Sequence, residues 1–190
     1  SGNGNTGTIV GDPAWVTGTI GGAMEFSGDD YVDCGNGDSL QIQDAITITA
    51  WIKVASFTVE WETILAKGDD SYRMARSAGT GNSIHFGCNG PTGDNLDGNA
   101  IVTTDTWRHA AVVFDGAYKY VYIDGVEDAR AASTGQINIS TYDLYIAENA
   151  QATGRQLGGL VDDIRIYNRA LSPEELAGMA GRTTPVHVPF

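Results

Sequence analysis

The chain has 190 residues, of which 24 are acidic and 11 basic, for a formal net charge of −13. The resulting field repels phosphate backbones and anionic headgroups, so nucleic acid and membrane insertion are excluded as natural roles. With 25 glycines and few long apolar runs, the composition predicts many short strands joined by tight turns around one core.

The first stretch, Ser1 to Gly7, lacks a basic region followed by an apolar segment. It therefore reads as a cut or mature fragment rather than as a signal peptide or a span. Strands are expected at Ala23 to Ser27 and Tyr31 to Cys34, on either side of a Gly28 to Asp30 turn. Ile46 to Val54 alternates Ile46, Ile48, Ala50, Ile52 and Val54 with Thr47, Thr49, Trp51 and Lys53. That period of two marks a strand with one face in a core and Trp51 on the other.

A meander is expected over Thr63 to Lys67, Tyr72 to Ser77 and Ser83 to Cys88, separated by turn formers. In it Ile84, Phe86 and Cys88 share one face and His85 and Gly87 the other, while Arg73 and Ala75 point away from Tyr72 and Met74. Gly90 to Asn99 reads as an irregular loop. Trp107 to Phe114 and Tyr118 to Ile123 follow, with hairpin signals at Asp115-Gly116 and Asp124-Gly125. His109 is expected on a core face or its edge, hydrogen-bonded. The last strands are placed at Asp143 to Ala147 and Gly159 to Tyr167. Ser172, Pro173, Glu174 and Glu175 then start a short capped helix ending near Gly178. The sum is an all-β, two-sheet antiparallel sandwich of jelly-roll type with one C-terminal helical turn, over residues 1–178, followed by a tail or linker at 179–190. The two cysteines, Cys34 and Cys88, leave open one disulfide or two buried thiols.

Several stretches together carry a family resemblance: SGNGNTG at Ser1 to Gly7, AMEFSGDDYVDCG at Ala23 to Gly35, ITITAWIK at Ile46 to Lys53 and ILAKGDDSY at Ile64 to Tyr72. WRHAAVVFDG at Trp107 to Gly116, YIDGVE at Tyr122 to Glu127 and GGLVDDIRIYNRALSPEEL at Gly158 to Leu176 continue it. The pattern resembles laminin-G-like, concanavalin A-like jelly-roll domains. The resemblance implies two curved antiparallel sheets, often a structural Ca²⁺ near one rim, and a carbohydrate-binding or adhesion module of a larger secreted or cell-surface protein. Because the same fold also hosts glycosidases and lyases, function has to be argued from the site.

For Ca²⁺, the oxygens that such a fold would gather are those of Asn3, Asn5, Asp29, Asp30, Asp162 and Asp163, since the ion takes about six to eight oxygens from mixed carboxylate and carbonyl sets. For a glycan, the needed chemistry is an aromatic platform plus planar polar groups. The candidates are Trp61, Arg73, His85, Asn89 and Tyr118, with Glu148, Asn149 and Arg155 ahead of the final strand. A protein partner docking on rim loops such as Gly90 to Asn99 is the alternative. Catalysis is not expected. Glu60 and Glu62, alternate residues roughly 6.6 Å apart if in a strand, would suit a glycosidase pair, but Trp61 stands between them where the glycosidases of this fold carry an aspartate flanked by glutamates.

Overall fold

The computed structural model describes residues 3–77, 81–93 and 95–182, so residue 183 onward, most of the expected tail, lies outside the described residues. The strands are β1 (Thr8–Val10), β2 (Ala14–Thr17), β3 (Gly22–Phe26), β4 (Tyr31–Asp33), β5 (Ile46–Lys53), β6 (Thr63–Ala66) and β7 (Tyr72–Arg76). They continue with β8 (Ile84–Cys88), β9 (Leu96–Asp97), β10 (Arg108–Phe114), β11 (Tyr118–Ile123), β12 (Val126–Ala132), β13 (Tyr145–Ile146) and β14 (Gly159–Tyr167), before helix α1 (Pro173–Met179). Among the described residues they make two antiparallel sheets of seven: a front sheet ordered β1-β4-β13-β6-β7-β8-β9 and a back sheet ordered β12-β11-β10-β5-β14-β3-β2. The all-β sandwich expected from the alternation is what forms.

The alternation works as the period of two demands. Ile46, Ile48, Ala50 and Ile52 of β5 enter the core, where Ala110, Val112 and Phe114 of β10 meet Tyr72 and Met74 of β7 and Ile84 and Phe86 of β8. Each of these side chains is fully buried, and at roughly 25 cal/mol per Å² of apolar surface this shared interior is the main force closing the sheets. A smaller cluster on the outer face of the back sheet packs Leu176 of α1 against Ala111, Val113, Tyr122 and Leu171. The helix begins as its sequence dictates: the Ser172 hydroxyl accepts from Glu175 N, and the Glu175 carboxylate accepts from Ser172 N at 2.8 Å. At the β11-β12 hairpin, Asp124 and Gly125 both hold positive φ, 51° and 73°, the conformation that a two-residue primed turn requires.

Three expectations are revised and one open alternative is resolved. β1 and β2 form at the sheet edges, where short exposed strands carry little alternation. The Gly90 to Asn99 loop contains β9, whose Asp97 and Leu96 pair with His85 and Phe86; a two-residue strand is too short for periodicity to reveal. His109 faces outward, opposite Trp51 with ring centroids 5.4 Å apart, because Ala110 and Val112 take the core side. Its Nδ1 is buried without a hydrogen-bond partner among the described residues. Cys34 and Cys88 are both free thiols, pushed up to about 11 and about 12 by burial.

The core assignment has a direct consequence. Phe86→Ala is expected to lower unfolding stability by about 3–5 kcal/mol, read from urea denaturation at pH 7; a loss below about 1 kcal/mol would contradict the placement of this ring.

Candidate functional site

Seven of the eight residues proposed for ligand contact come together on the outer face of the front sheet. Alternation within β7 and β8 turns Arg73 and His85 away from the core, yet both are buried, 7% and 2% exposed. Two loops cover them. One precedes β6 and carries Trp61; the other, between β13 and β14, carries Glu148, Asn149 and Arg155.

Each loop is pinned by a buried carboxylate that accepts backbone N–H groups. Glu62 accepts from Thr58 N at 2.7 Å, Val59 N at 3.2 Å and Gly158 N at 2.9 Å. Glu148 accepts from Asn149 N at 2.7 Å, Gly154 N at 2.9 Å and Arg155 N at 3.0 Å. Charge-assisted bonds of this kind are stronger than neutral ones, so the loops are held in place. Glu62 is thereby committed to structure: of the Glu60 and Glu62 pair weighed above, Glu62 is fully buried while Glu60 is exposed.

Within this frame the polar groups form one chain. Arg155 Nη1 donates to both oxygens of Asp69, at 2.8 and 3.1 Å, and Asn149 Nδ2 donates to Oδ1 at 2.8 Å. Arg73 Nη1 lies 3.3 Å from the same carboxylate, and Asn89 Nδ2 donates to the Asp69 backbone carbonyl. On its other side, Arg73 Nη2 is 3.2 Å from His85 Nε2, and His85 Nδ1 is 2.6 Å from Asp97 Oδ1. A guanidinium only donates. Nε2 of His85 must therefore be the acceptor and Nδ1 must carry the proton, donated to Asp97. The imidazole is neutral, and both nitrogens are engaged.

Two features mark the place as built. The Arg73 side chain lies over β8 at Gly87, where a Cβ would come within 2.7 Å of its Cγ and Cζ, so any larger residue would displace the guanidinium from this position. Trp61 holds φ at 61°, a left-handed backbone that costs a bulky residue about 1–3 kcal/mol. That conformation sets its ring edge-on to His85, with centroids 4.7 Å apart, and 5.6 Å from the Arg73 guanidinium carbon. Arg73 Nε has no partner among the described residues. Burial lowers the pKa of Arg73, opposed by Asp69, though a guanidinium keeps its proton regardless.

The eighth residue, Tyr118, is elsewhere. It belongs to β11 in the back sheet and stacks beside Tyr120 with centroids 5.9 Å apart; strand membership alone cannot assign a segment to one sheet or the other. Conversely, Asp69 and Asp97 escaped notice because one sits in a turn-forming Gly-Asp-Asp run and the other in the supposed loop. The signal available was the Gly68-Asp69-Asp70 run inside the ILAKGDDSY motif.

The six oxygens proposed for Ca²⁺ are dispersed. Asn3 and Asn5 line one groove, and Asn5 Oδ1 accepts from the Ser39 hydroxyl. Asp29 is exposed. Asp30 accepts from Asp12 N and Ser27 N at 2.8 and 3.0 Å, bonds that hold its pKa below the usual value. Asp162 Oδ2 accepts from Ile20 N at 2.7 Å, and Asp163 is paired with Arg165 at 2.8 Å. No group of three or more Asp, Glu, His or Cys side chains converges among the described residues. Asp30 and Asp162 hold backbone N–H in separate places and Asp163 holds Arg165, which does not fit one shell of about six to eight oxygens.

Among the described residues, two seven-stranded antiparallel sheets, with a polar network on one outer face, make a jelly-roll sandwich. The sequence profile of the concanavalin A-like lectin/glucanases superfamily, in its Laminin_G_3 form, matches residues 26–177, and the chain belongs to that family. No curated protein sequence matches it. Among solved structures, it is similar to domain 4 of AbnA, a GH43 extracellular arabinanase from Geobacillus stearothermophilus, in complex with arabinotriose: TM-score 0.73, 22% identity, covering 92% of this chain and 87% of that one. The binding domain of Paraclostridial Mosquitocidal Protein 1 follows at TM-score 0.71 and 14% identity, covering 94% and 48%. The binding domain of botulinum neurotoxin DC, in complex with rat synaptotagmin II, gives 0.69 and 14%, covering 95% and 47%. The chain thus spans about half the length of those toxin binding domains.

Two solution measurements check the site's chemistry. Burial pushes His85 below its ordinary value, against the Asp97 hydrogen bond and with the help of Arg73, and pushes His109 down to about 4. Both stay neutral in the fold, whereas in the unfolded chain they take up protons near pH 6.5. As pH falls below that value the unfolded state binds more protons, so stability declines; His109 alone contributes a loss on the order of 3 kcal/mol by pH 4. Tm is expected to fall steadily from pH 7 to pH 5, and less so in His109→Asn; a flat profile would contradict the neutral, buried imidazoles. The second measurement is melting with and without chelator. Because Asp30, Asp162 and Asp163 are each engaged by other groups of the protein, Tm is expected to stay within about 1 °C, and a Ca²⁺-induced rise of several degrees would reveal a shell that these contacts do not account for.

Proposed function

We propose that this domain is a non-catalytic carbohydrate-binding module of a larger secreted or cell-surface protein, with its ligand on the outer face of the front sheet. The observation that carries the reading is Trp61, held in a strained conformation over a buried Arg73 and His85. Strain of that kind persists where the surroundings enforce it, and it clusters at ligand sites.

The mouth of this site offers what a sugar needs. The half-buried Trp61 ring supplies an apolar face, while Arg155 (side chain 21% exposed), Asp69 (31%) and Asp97 (49%) supply planar donors and acceptors at its margin. Beneath them the network keeps these groups in position before a ligand arrives, which reduces the ordering cost of binding. A hydrolytic role receives no support from this chemistry. His85 has no free nitrogen to act as a base, since Asp97 and Arg73 occupy both, and Glu62 is an anchor. The arabinotriose complex of AbnA domain 4 supports a glycan as the class of ligand. The reading carries no Ca²⁺ requirement, given the dispersed oxygens.

A glycan array at millimolar ligand, followed by calorimetric titration of the hits, tests the proposal. Trp61→Ala and Arg155→Ala are each expected to weaken binding roughly tenfold or more, with melting curves confirming that each variant folds. An array without hits, or variants that bind as wild type, would count against the site. Capture of a protein partner that free oligosaccharide does not displace would favour the adhesion alternative.

A further inference from the structure

The Trp61 site holds one group that can gain a proton between neutral and acid pH, set against a neighbour that cannot lose one. His85 is buried between Arg73, whose Nη2 donates to its Nε2 at 3.2 Å, and Asp97, whose Oδ1 accepts from its Nδ1 at 2.6 Å. The guanidinium keeps its charge throughout, so this geometry has room for one proton on the imidazole and no more. A second, added at Nε2, would face an N–H donor with an N–H donor and a cation with a cation, where water screens little. The Trp61 ring rests on this pair, edge-on to the imidazole and over the guanidinium. Its left-handed backbone persists only while those surroundings enforce it.

The other charged groups around the ring do not relieve that conflict. Asp69, in the turn after β6, is shared between Arg73 and Arg155, the latter a second cation from the loop between β13 and β14. Glu62 and Glu148 are engaged by backbone N–H, and Glu60 is exposed in the loop that carries Trp61. Asp97 of β9 is the one carboxylate in contact with the imidazole and the natural partner of an imidazolium. Burial and the charge of Arg73 oppose a second proton while Asp97 and Asp69 favour it, and the balance holds His85 below its ordinary value. Once the proton arrives, the imidazolium stays with Asp97, the shorter and charge-matched contact, and Arg73 is left with Asp69 alone.

We infer that His85 is an acid-sensitive positioning residue of the Trp61 site: a proton on Nε2 drives the Arg73 guanidinium off the ring, unseats Trp61 and releases the bound glycan. Release of a sugar rests on the reading of this face as a glycan site; the displacement of Trp61 does not. The sign follows from linkage. A ligand that needs the neutral imidazole competes with the proton, so affinity is level above the His85 midpoint and falls by about tenfold per pH unit below it.

The test titrates the intact chain, labelled with ¹⁵N, from pH 8 to pH 4. Long-range ¹H–¹⁵N spectra report the proton on each ring nitrogen of its three histidines, and four indole N–H signals report its four tryptophans. His85→Gln and Trp61→Phe assign the two residues in question. The glutamine can still accept from Arg73 and donate to Asp97, but it does not titrate. At pH 7 His85 is expected to carry its proton on Nδ1 alone. As Nε2 becomes protonated, at a midpoint below 6.5, the Trp61 indole signal should shift with the same midpoint, and in His85→Gln it should stay level. A Trp61 signal that ignores the His85 titration, or that moves with the same midpoint in His85→Gln, overturns the inference. So does unfolding of the whole chain before His85 takes up its proton. In parallel, arabinotriose and any glycan found on the array are titrated across the same range. Affinity should drop about tenfold per pH unit below the midpoint in the wild type and remain level in His85→Gln. If sugar binds equally well through the midpoint, the glycan site stands and the acid release falls. If no sugar binds at any pH while Trp61 still follows His85, the glycan reading falls and the acid-sensitive seat stands.

Discussion

A guanidinium cannot shed its charge, and this fold buries one. Arg73 is forced under two loops by strand alternation, so everything around it has to answer its hydrogen-bonding demand. Leaving such a group without partners would cost several kcal/mol, and removing one partner of a buried ion pair typically costs about 3–5 kcal/mol. Asp69 supplies the countercharge and is itself shared with Arg155 and Asn149. His85 answers on the other side and is thereby fixed in one tautomer, its Nδ1–H donating to Asp97. Gly87 is glycine because the guanidinium needs its space. The loop carboxylates Glu62 and Glu148 extend the same logic outward, converting two irregular segments into rigid covers.

The two faces of the front sheet therefore obey different rules. Inward, Met74, Ile84 and Phe86 are interchangeable with other apolar residues of similar volume, since burial is non-directional, while Tyr72 adds a directional bond from its hydroxyl to the Leu40 carbonyl. Outward, each polar group has a fixed geometry, and one change propagates through the chain of contacts. This division lets a common sandwich host different chemistry on its surface, and it is why a family assignment by itself leaves the ligand open.

Most of the sandwich was legible in the sequence because apolar residues recur at every second position wherever only one face of a strand enters the core, as in β5 and β8. The edge strands β1 and β2 and the two-residue β9 were not legible, being too short or too exposed to carry that period. For the site, alternation alone correctly set Arg73 and His85 on one face. What it could not show was the sheet to which a strand belongs, hence the misplacement of Tyr118, nor the burial of that face by loops. Asp97 entered the site through a strand pairing, and Asp69 through a turn, neither of which leaves a local signature of function. The oxygens proposed for a metal were legible as residues but not as a shell, because convergence depends on where each turn places its carboxylate.

The two thiols have a quieter consequence. Cys34 and Cys88 are protonated by burial and unlinked, and thiols in that state are poor nucleophiles. The sandwich consequently asks for no oxidant during folding and offers no exchangeable sulfur to a reductant afterwards. The native packing of both residues is that of small apolar side chains, and it is complete without a covalent link between the sheets.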